Sequence, residues 1–411
     1  MLGLCAAVVN AQQRPRPVHP RHPLTLEEAL QLAEERNPQL QAAQAGVQGS
    51  QAAITTARAY RNPEINVGGF GGQRALLATT PAGAISGFVV SQPLEPRSLR
   101  RARIHAAEQG RESSDYGLAE ARLAVRGHVK RAFYEALRRK SELDLTWGNL
   151  SLIEDLRQRI AAQVDAGEAA RLELTRADAE VAGARIQVQS VELRLAGTLA
   201  ALQAAIGVSG AGDWDPQGTV DEPVVLTSLE DLRGRVLARH PGIAQAEALR
   251  RQAGELLNLE RAAAKPTPTL WADVFRQPDA AQYRAGVSFA VPLWDRRAGP
   301  IGEAVAAERQ AAALAELRRI EVSAALDRAY RQYEIAGQQM QMFEAGTLKS
   351  AEAAVQAAEA AFRFGERGVL EVLDAQRVLR AARQDFLNAQ YDRQAALIEL
   401  EQLGAVSPRR P

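Results

Sequence analysis

A single cysteine, Cys5, stands in 411 residues, which excludes an internal disulfide and a cysteine-built metal cluster. Aromatic residues are only 5% of the chain against 46% hydrophobic residues, and much of that larger share is alanine. Alanine lets helices approach closely but fills little volume, which disfavours a thick globular core and favours long, thin helical packing. The formal net charge of +1 provides no basic field for nucleic acid. No run beyond the N-terminus approaches the ~20 apolar residues of a membrane-spanning helix. A catalytic set is missing as well. His105, His128 and His240 are scattered, and no serine or cysteine sits with a suitable base. The glycines of Gly68-Gly69-Phe70-Gly71-Gly72 lack a following Lys-Ser/Thr, so they make no phosphate loop. The chain reads as a non-enzyme that needs no cofactor and no resident metal.

What is present is order along the chain. Residues 1–11 read as a secretory signal peptide without its basic start: the apolar run Leu2–Val9, then small residues at Val9-Asn10-Ala11 for cleavage before Gln12. A lipid-anchored Cys5 is the alternative, but Leu4 is too large for the position before a lipobox cysteine. Residues 12–23 form a linker of prolines and arginines, in which His19 and His22 read as solvated. Residues 24–207 form a first repeat. It opens with a helix capped by Thr25 with Glu28 as box partner, and breaks at Arg61-Asn62-Pro63. Strands follow at 63–72 and 84–94, with a Gly- and Thr-rich loop between them. Helical sequence then runs from Glu95 to a glycine reversal at 164–172. The seam Val129, Phe133, Ala136, Leu143, Trp147, Leu150, Ile153, Ile160 and Val164 has coiled-coil spacing. A helix of roughly 65 residues would be ~100 Å long.

After a linker at 208–226 the plan repeats over 227–404. Leu229-Glu230-Asp231 answers Leu26-Glu27-Glu28, and His240-Pro241 answers Asn37-Pro38. Strands at 267–276 and 283–293 answer the first pair, and Pro292-Leu293 answers Pro93-Leu94. Long helices over Arg296–Phe364 and Val369–Leu403 flank a second reversal at 362–370. There Gly365-Glu366 answers Gly167-Glu168, and Leu370-Glu371 answers Leu172-Glu173. Residues 405–411 read as a disordered tail.

Four strands of this length can cross a bilayer core, and the cleanest, Tyr283–Leu293, alternates apolar and polar residues. Two readings follow. In a soluble protein the strands form a sheet covered by helix. In a membrane no edge can stay unpaired, and four strands are too few to close, so several copies must share one barrel. Export, alternation and the lack of spanning helices favour the second.

The duplicated order, the prolines before and after each strand pair and the two hairpin tips together resemble the TolC family of outer-membrane efflux channels, over nearly the whole chain after the linker. That resemblance implies a mainly α fold with a small β part. Three copies would form a twelve-stranded outer-membrane barrel and a periplasmic α-helical barrel. It implies a passive exit duct in the Gram-negative outer membrane, embedded in lipid, working with a periplasmic adaptor and an inner-membrane pump of RND type. The adaptor would dock on the tips at Gly167, Glu168, Leu172, Gly365, Glu366 and Leu370. Carried over from the family pattern, Glu371 and Asp374 would line the narrow end, at a spacing that places both on one helix face. Arg367 would pair with an acid of the first hairpin, where Glu173 stands. Phe362 replaces a tyrosine of the family, which removes one hydrogen bond from that latch. The stretch from Gln92-Pro93-Leu94-Glu95 to Ala106-Ala107-Glu108 resembles the branch serving cobalt–zinc–cadmium resistance pumps and suggests heavy-metal cations as cargo. The competing reading, from a different class, is a helical scaffold without a pore, soluble or surface-attached.

Overall fold

The computed structural model describes residues 22–73, 83–208, 214–220 and 224–406. The expected signal peptide, the linker up to residue 21 and the loop over 74–82 lie outside the described residues. In chain order the elements are β1 (His22–Leu24), α1 (Leu26–Arg36), α2 (Pro38–Arg58), β2 (Glu64–Gln73), β3 (Gly83–Pro93), α3 (Arg97–Asp165) and α4 (Arg171–Ile206). Then come β4 (Trp214–Pro216), α5 (Leu229–Arg239), α6 (Pro241–Ala263), β5 (Pro268–Arg276), β6 (Ala281–Phe289) and α7 (Ala298–Met342). A π-helical segment (Phe343–Thr347), α8 (Leu348–Arg363) and α9 (Val369–Gln402) complete the chain. These form two compact units. One holds the residues up to 37 with 125–225 and 329–399; the other holds 38–124, 226–328 and 400 onward.

The duplication is written in the helix ends. Thr25 Oγ1 accepts from the Glu28 N–H at 3.3 Å while Glu28 Oε2 accepts from the Thr25 N–H at 2.9 Å, a full capping box at α1. Ser228 caps α5 by accepting from the Asp231 N–H at 3.2 Å. Asn37 and His240 each end one helix with an extended backbone just before a proline, which cannot continue the preceding hydrogen-bond ladder. Four glycines, Gly167, Gly207, Gly365 and Gly404, take the left-handed conformation where α3, α4, α8 and α9 stop. At all four the next residue's N–H reaches back five residues. Glu168 donates to Gln163 O, Val208 to Gln203 O, Glu366 to Ala361 O and Ala405 to Leu400 O, at 2.8–3.1 Å. This paired pattern satisfies the last free carbonyls of a helix and needs glycine's positive φ.

The first unit is cored by Phe133, Ile160, Val191, Leu202, Ile206 and Ile398, all essentially inaccessible to solvent. Arg138 donates to both Glu135 oxygens at 2.6 and 2.8 Å and to Asn388 Oδ1 at 2.8 Å, joining α3 to α9, and its guanidinium lies 5.1 Å from the Tyr391 ring centre. Burial pushes the neighbouring Asp392 carboxyl above its ordinary value, with Arg138 opposing the shift.

The second unit carries a four-stranded antiparallel sheet in the order β2-β3-β5-β6. Its register places Val67 opposite Phe88, Phe88 opposite Val274, Val274 opposite Tyr283 and Leu270 opposite Val287. These side chains, with Ile65 and Phe289, form one exposed apolar face. On the other face Arg284 pairs with Asp273 at 2.7 Å. Trp271 covers Gly286 and Phe275 covers Gly87 on adjacent strands, and a Cβ on either glycine would stand within 2.9 Å of the ring. The outer edges of β2 and β6 have no strand partner among the described residues.

Four expectations are corrected. The 208–226 linker contains β4, which pairs in parallel with β1 (His22 opposite Trp214, Leu24 opposite Pro216) and is held by Lys140 Nζ on Asp215 at 2.7 Å. Helix over Arg296–Phe364 is interrupted at Phe343–Thr347, where Gly346 leaves helical geometry. Trp147 is exposed rather than in the seam, because Thr146 and Leu150 occupy the buried phase of α3. Ala405, expected in a free tail, is buried by the turn at Gly404; residues 407–411 lie outside the described residues.

Candidate functional site

The two helix reversals lie in the same compact unit, and their packing settles which side chains face out. On α9, Val369, Val372 and Leu373 are buried in a cluster with Leu156 and Ile160 of α3 and Ala177 of α4; Phe362 and Leu174 lean on its margin. The spacing of three and four on α9 directs this stripe inward, so residues between its members point away. Glu371 and Asp374 are such residues, with side chains 43% and 60% exposed. Both therefore share one outward side of α9, as their separation of three requires.

Neither carboxylate stands alone. Arg367, in the turn that precedes α9, has its Nη1 3.6 Å from Glu371, and Arg377 Nη1 lies 3.4 Å from Asp374 within α9. Arg377 also pairs with Glu180 of α4, tying the second hairpin to the first. The cross-hairpin partner expected for Arg367 was Glu173. Within one chain Arg367 lies beside Glu371, four residues on. Glu173 sits in the first turn of α4, where its charge favours the helix N-terminus.

The tip residues proper are laid open. Gly167 and Gly365 form the turns, Glu168 and Glu366 follow them, and Leu172 and Leu370 are 59% and 48% exposed although apolar. Phe364 is also exposed. Each hairpin is braced by its own ion pairs: Arg157–Asp178 at 2.8 Å and Arg185–Glu154 at 2.7 Å in the first, Arg383–Glu352 at 2.9 Å in the second.

The sequence reading missed Arg377 and Glu180. The i, i+3 spacing of Asp374 and Arg377 was a readable signal; the contact to Glu180 joins residues distant in the chain and was not. Among the described residues no cluster of three or more His, Cys, Asp or Glu side chains could hold a metal ion. No described helix is long and apolar enough to cross a membrane.

Comparison with known proteins covers most of the chain. A family model described as outer membrane efflux protein matches residues 29–208 and 232–405, the two repeats in turn. The cobalt-zinc-cadmium resistance protein CzcC of Cupriavidus metallidurans is 30% identical over 378 residues, covering 90% of this chain and 88% of that protein. The pyoverdine export outer membrane protein OpmQ of Pseudomonas aeruginosa is 25% identical over 381 residues, covering 87% and 80%. The crystal structure of CusC, described with transmembrane channel formation, superposes with a TM-score of 0.79 at 20% identity over 92% of this chain and 91% of that one.

Proposed function

The chain belongs to the outer membrane efflux protein family, and we propose that three copies form the passive outer-membrane duct of a tripartite export system for heavy-metal cations. The observation that carries this reading is the sheet. It is apolar and exposed on one face, carries the Asp273–Arg284 ion pair on the other, and has no strand partner at either outer edge among the described residues. In lipid each open backbone group costs several kcal/mol, so edges must be closed. Pairing β6 of one copy with β2 of the next closes them, and twelve strands exceed the roughly eight at which membrane barrels begin. The exposed face then meets lipid, and the Asp273–Arg284 pair faces the bore.

At the periplasmic end, Glu371 and Asp374 of three copies line the constriction. A ring of carboxylates favours cations. The Arg377–Glu180 pair holds the two hairpins together until an adaptor, docking on Leu172, Leu370 and their flanking turns, separates them. An RND-type pump supplies the energy, since the duct has no catalytic set of its own. Heavy-metal cargo is supported by the likeness to the cobalt-zinc-cadmium resistance protein. The likeness to a pyoverdine export protein marks pyoverdine as the cargo to test against it.

The test is reconstitution of the full-length protein in planar bilayers, with a metal-sensitivity assay of the deletion strain. Stepwise, cation-preferring conductance and sensitivity to cobalt, zinc or cadmium are expected. A protein that stays monomeric and water-soluble without detergent and carries no current is a scaffold without a pore, and overturns the reading.

A further inference from the structure

All four strands of the sheet meet helices at one end, and the register brings those ends together: Glu64 lies opposite Ser91, Pro93 opposite Thr269 and Pro268 opposite Phe289. At that end each strand has a basic residue close by in the chain: Arg61 before β2, Arg97 after β3, Lys265 before β5 and Arg296 after β6. Arg101 follows Arg97 on α3, and Arg261 precedes Lys265 at the end of α6. All of these side chains are exposed, and none has a hydrogen-bonded or ionic partner among the described residues. Other cations of the same end are already paired: Arg58 with Glu108, Arg103 with Glu95 and Arg297 with Glu260. The remaining acids of these segments are Glu64, on the face that carries Asp273, and Asp295, which accepts from the Arg297 N–H at 2.8 Å. In a chain of formal net charge +1 this is a marked local excess of positive charge.

What borders these cations is apolar. The exposed row of β6 continues past the strand through Val291 and Leu293, and stops at Trp294, which is 94% exposed and stands directly before Asp295-Arg296. After β3 the exposed Leu94 precedes Arg97 in the same way. Tyr60, 73% exposed, immediately precedes Arg61, and the Arg100 guanidinium sits 4.4 Å from its ring centre. On α3, Arg97 and Arg101 lie away from the buried Leu99, Ala102 and Ala106, so both reach outward. An apolar row, then aromatic residues, then unpaired cations is the order in which a bilayer leaflet passes from acyl chains through its interface to phosphates.

We propose that this end of the sheet is a binding belt for anionic phospholipids, in which Arg61, Arg97, Arg101, Arg261, Lys265 and Arg296 hold headgroup phosphates of the periplasm-facing leaflet. The belt rests on the reading that the sheet crosses the outer membrane, and adds which lipid that membrane presents there. A cation without a protein acid keeps its full charge for a headgroup. A zwitterionic headgroup brings its own cation beside the phosphate and gains less from such a site. An acidic protein surface would answer the charge but not the apolar row that runs into it. Three copies place the same cations around the whole barrel, with Trp294 and Tyr60 between them and the acyl chains.

Full-length protein reconstituted in phosphatidylcholine vesicles that carry a minor share of brominated lipid tests the belt. Brominated phosphatidylglycerol should quench Trp294 about threefold more than brominated phosphatidylcholine at equal mole fraction in ~0.1 M salt. Trp294→Phe protein gives the share of the other tryptophans. The preference should vanish in about 1 M salt, where screening cuts the reach of a charge to about 3 Å. Arg97→Gln, Arg101→Gln and Arg296→Gln together should abolish it. Arg97→Lys, Arg101→Lys and Arg296→Lys together should keep it, because an ammonium also binds phosphate as a point charge. Should the glutamine variant fail to insert, the lipid and salt comparison on the parent protein decides. Equal quenching by the two lipids in a protein that inserts and conducts overturns the belt and leaves the duct, as does a preference that high salt or the glutamine variant leaves unchanged. Loss of the preference on adding millimolar inorganic phosphate assigns the cations to free phosphate and overturns it too. A protein that enters neither kind of vesicle overturns both readings.

Discussion

Glu371, Asp374 and Arg377 carry the residue-scale consequences. Neutralising both acids, with Glu371→Gln and Asp374→Asn together, should reduce cation preference severalfold, read from the reversal potential across a salt gradient; an unchanged potential would remove these residues from the constriction. Arg377→Ala should act in the other direction on gating. It deletes the link to Glu180 and frees Asp374, so openings should become more frequent while overall stability changes little, since exposed ion pairs contribute at most about 1 kcal/mol. Single-channel recording alongside a thermal melt separates the two effects. The outward placement of Glu371 and Asp374 was legible in the sequence because helical spacing alone sets it. The contact of Arg367 with Glu371 is local too, four residues along the chain, and that spacing was present in the sequence.

At the scale of elements, the caps and core make the predictions. His240 ends α5 and starts α6, with Nδ1 accepting from the Gly242 N–H at 3.1 Å. Burial lowers its pKa below the ordinary histidine value; Glu120 opposes this and Arg318 reinforces it. The unfolded chain therefore takes up the proton more readily, near pH 6.5. Its contribution is complete above that pH and declines as pH falls from about 6.5 toward the lower folded-state value. Protonation of Nδ1 would also abolish the cap. The melting temperature should thus drop between pH 7 and pH 5, and His240→Asn, which can still cap, should flatten that slope. Ile160→Ala should destabilise the first unit by about 2–5 kcal/mol through lost burial and the cavity left behind, measured by denaturant unfolding. Most elements were legible because their signals are local: the Thr25–Glu28 box, Pro after Asn37 and His240, glycine at each helix stop. The β1–β4 pair was not, because three residues cannot show alternation and their partners are far apart in sequence. The break at Gly346 was hidden for a different reason. Gly148 stands at the same distance from its turn glycine as Gly346 does, yet lies within the unbroken helix α3, so the residue itself does not distinguish the two backbones.

For the whole molecule the deciding fact is a four-stranded sheet with an exposed apolar face and, among the described residues, two open edges. Strands β2 and β6 were legible from alternation, β3 and β5 from their place in the repeat, and the likeness to efflux proteins gives the family. Closure by further copies is the claim on which the constriction and the duct both depend. Cysteines placed at Val67 on β2 and, in turn, at Tyr283, Ala285 and Val287 on β6 test it in the bilayer. Oxidation should cross-link neighbouring copies at one of these registers and yield a ladder that ends at three chains. Chains that remain single at every register, with both edges accessible to a water-soluble thiol reagent, would contradict the account.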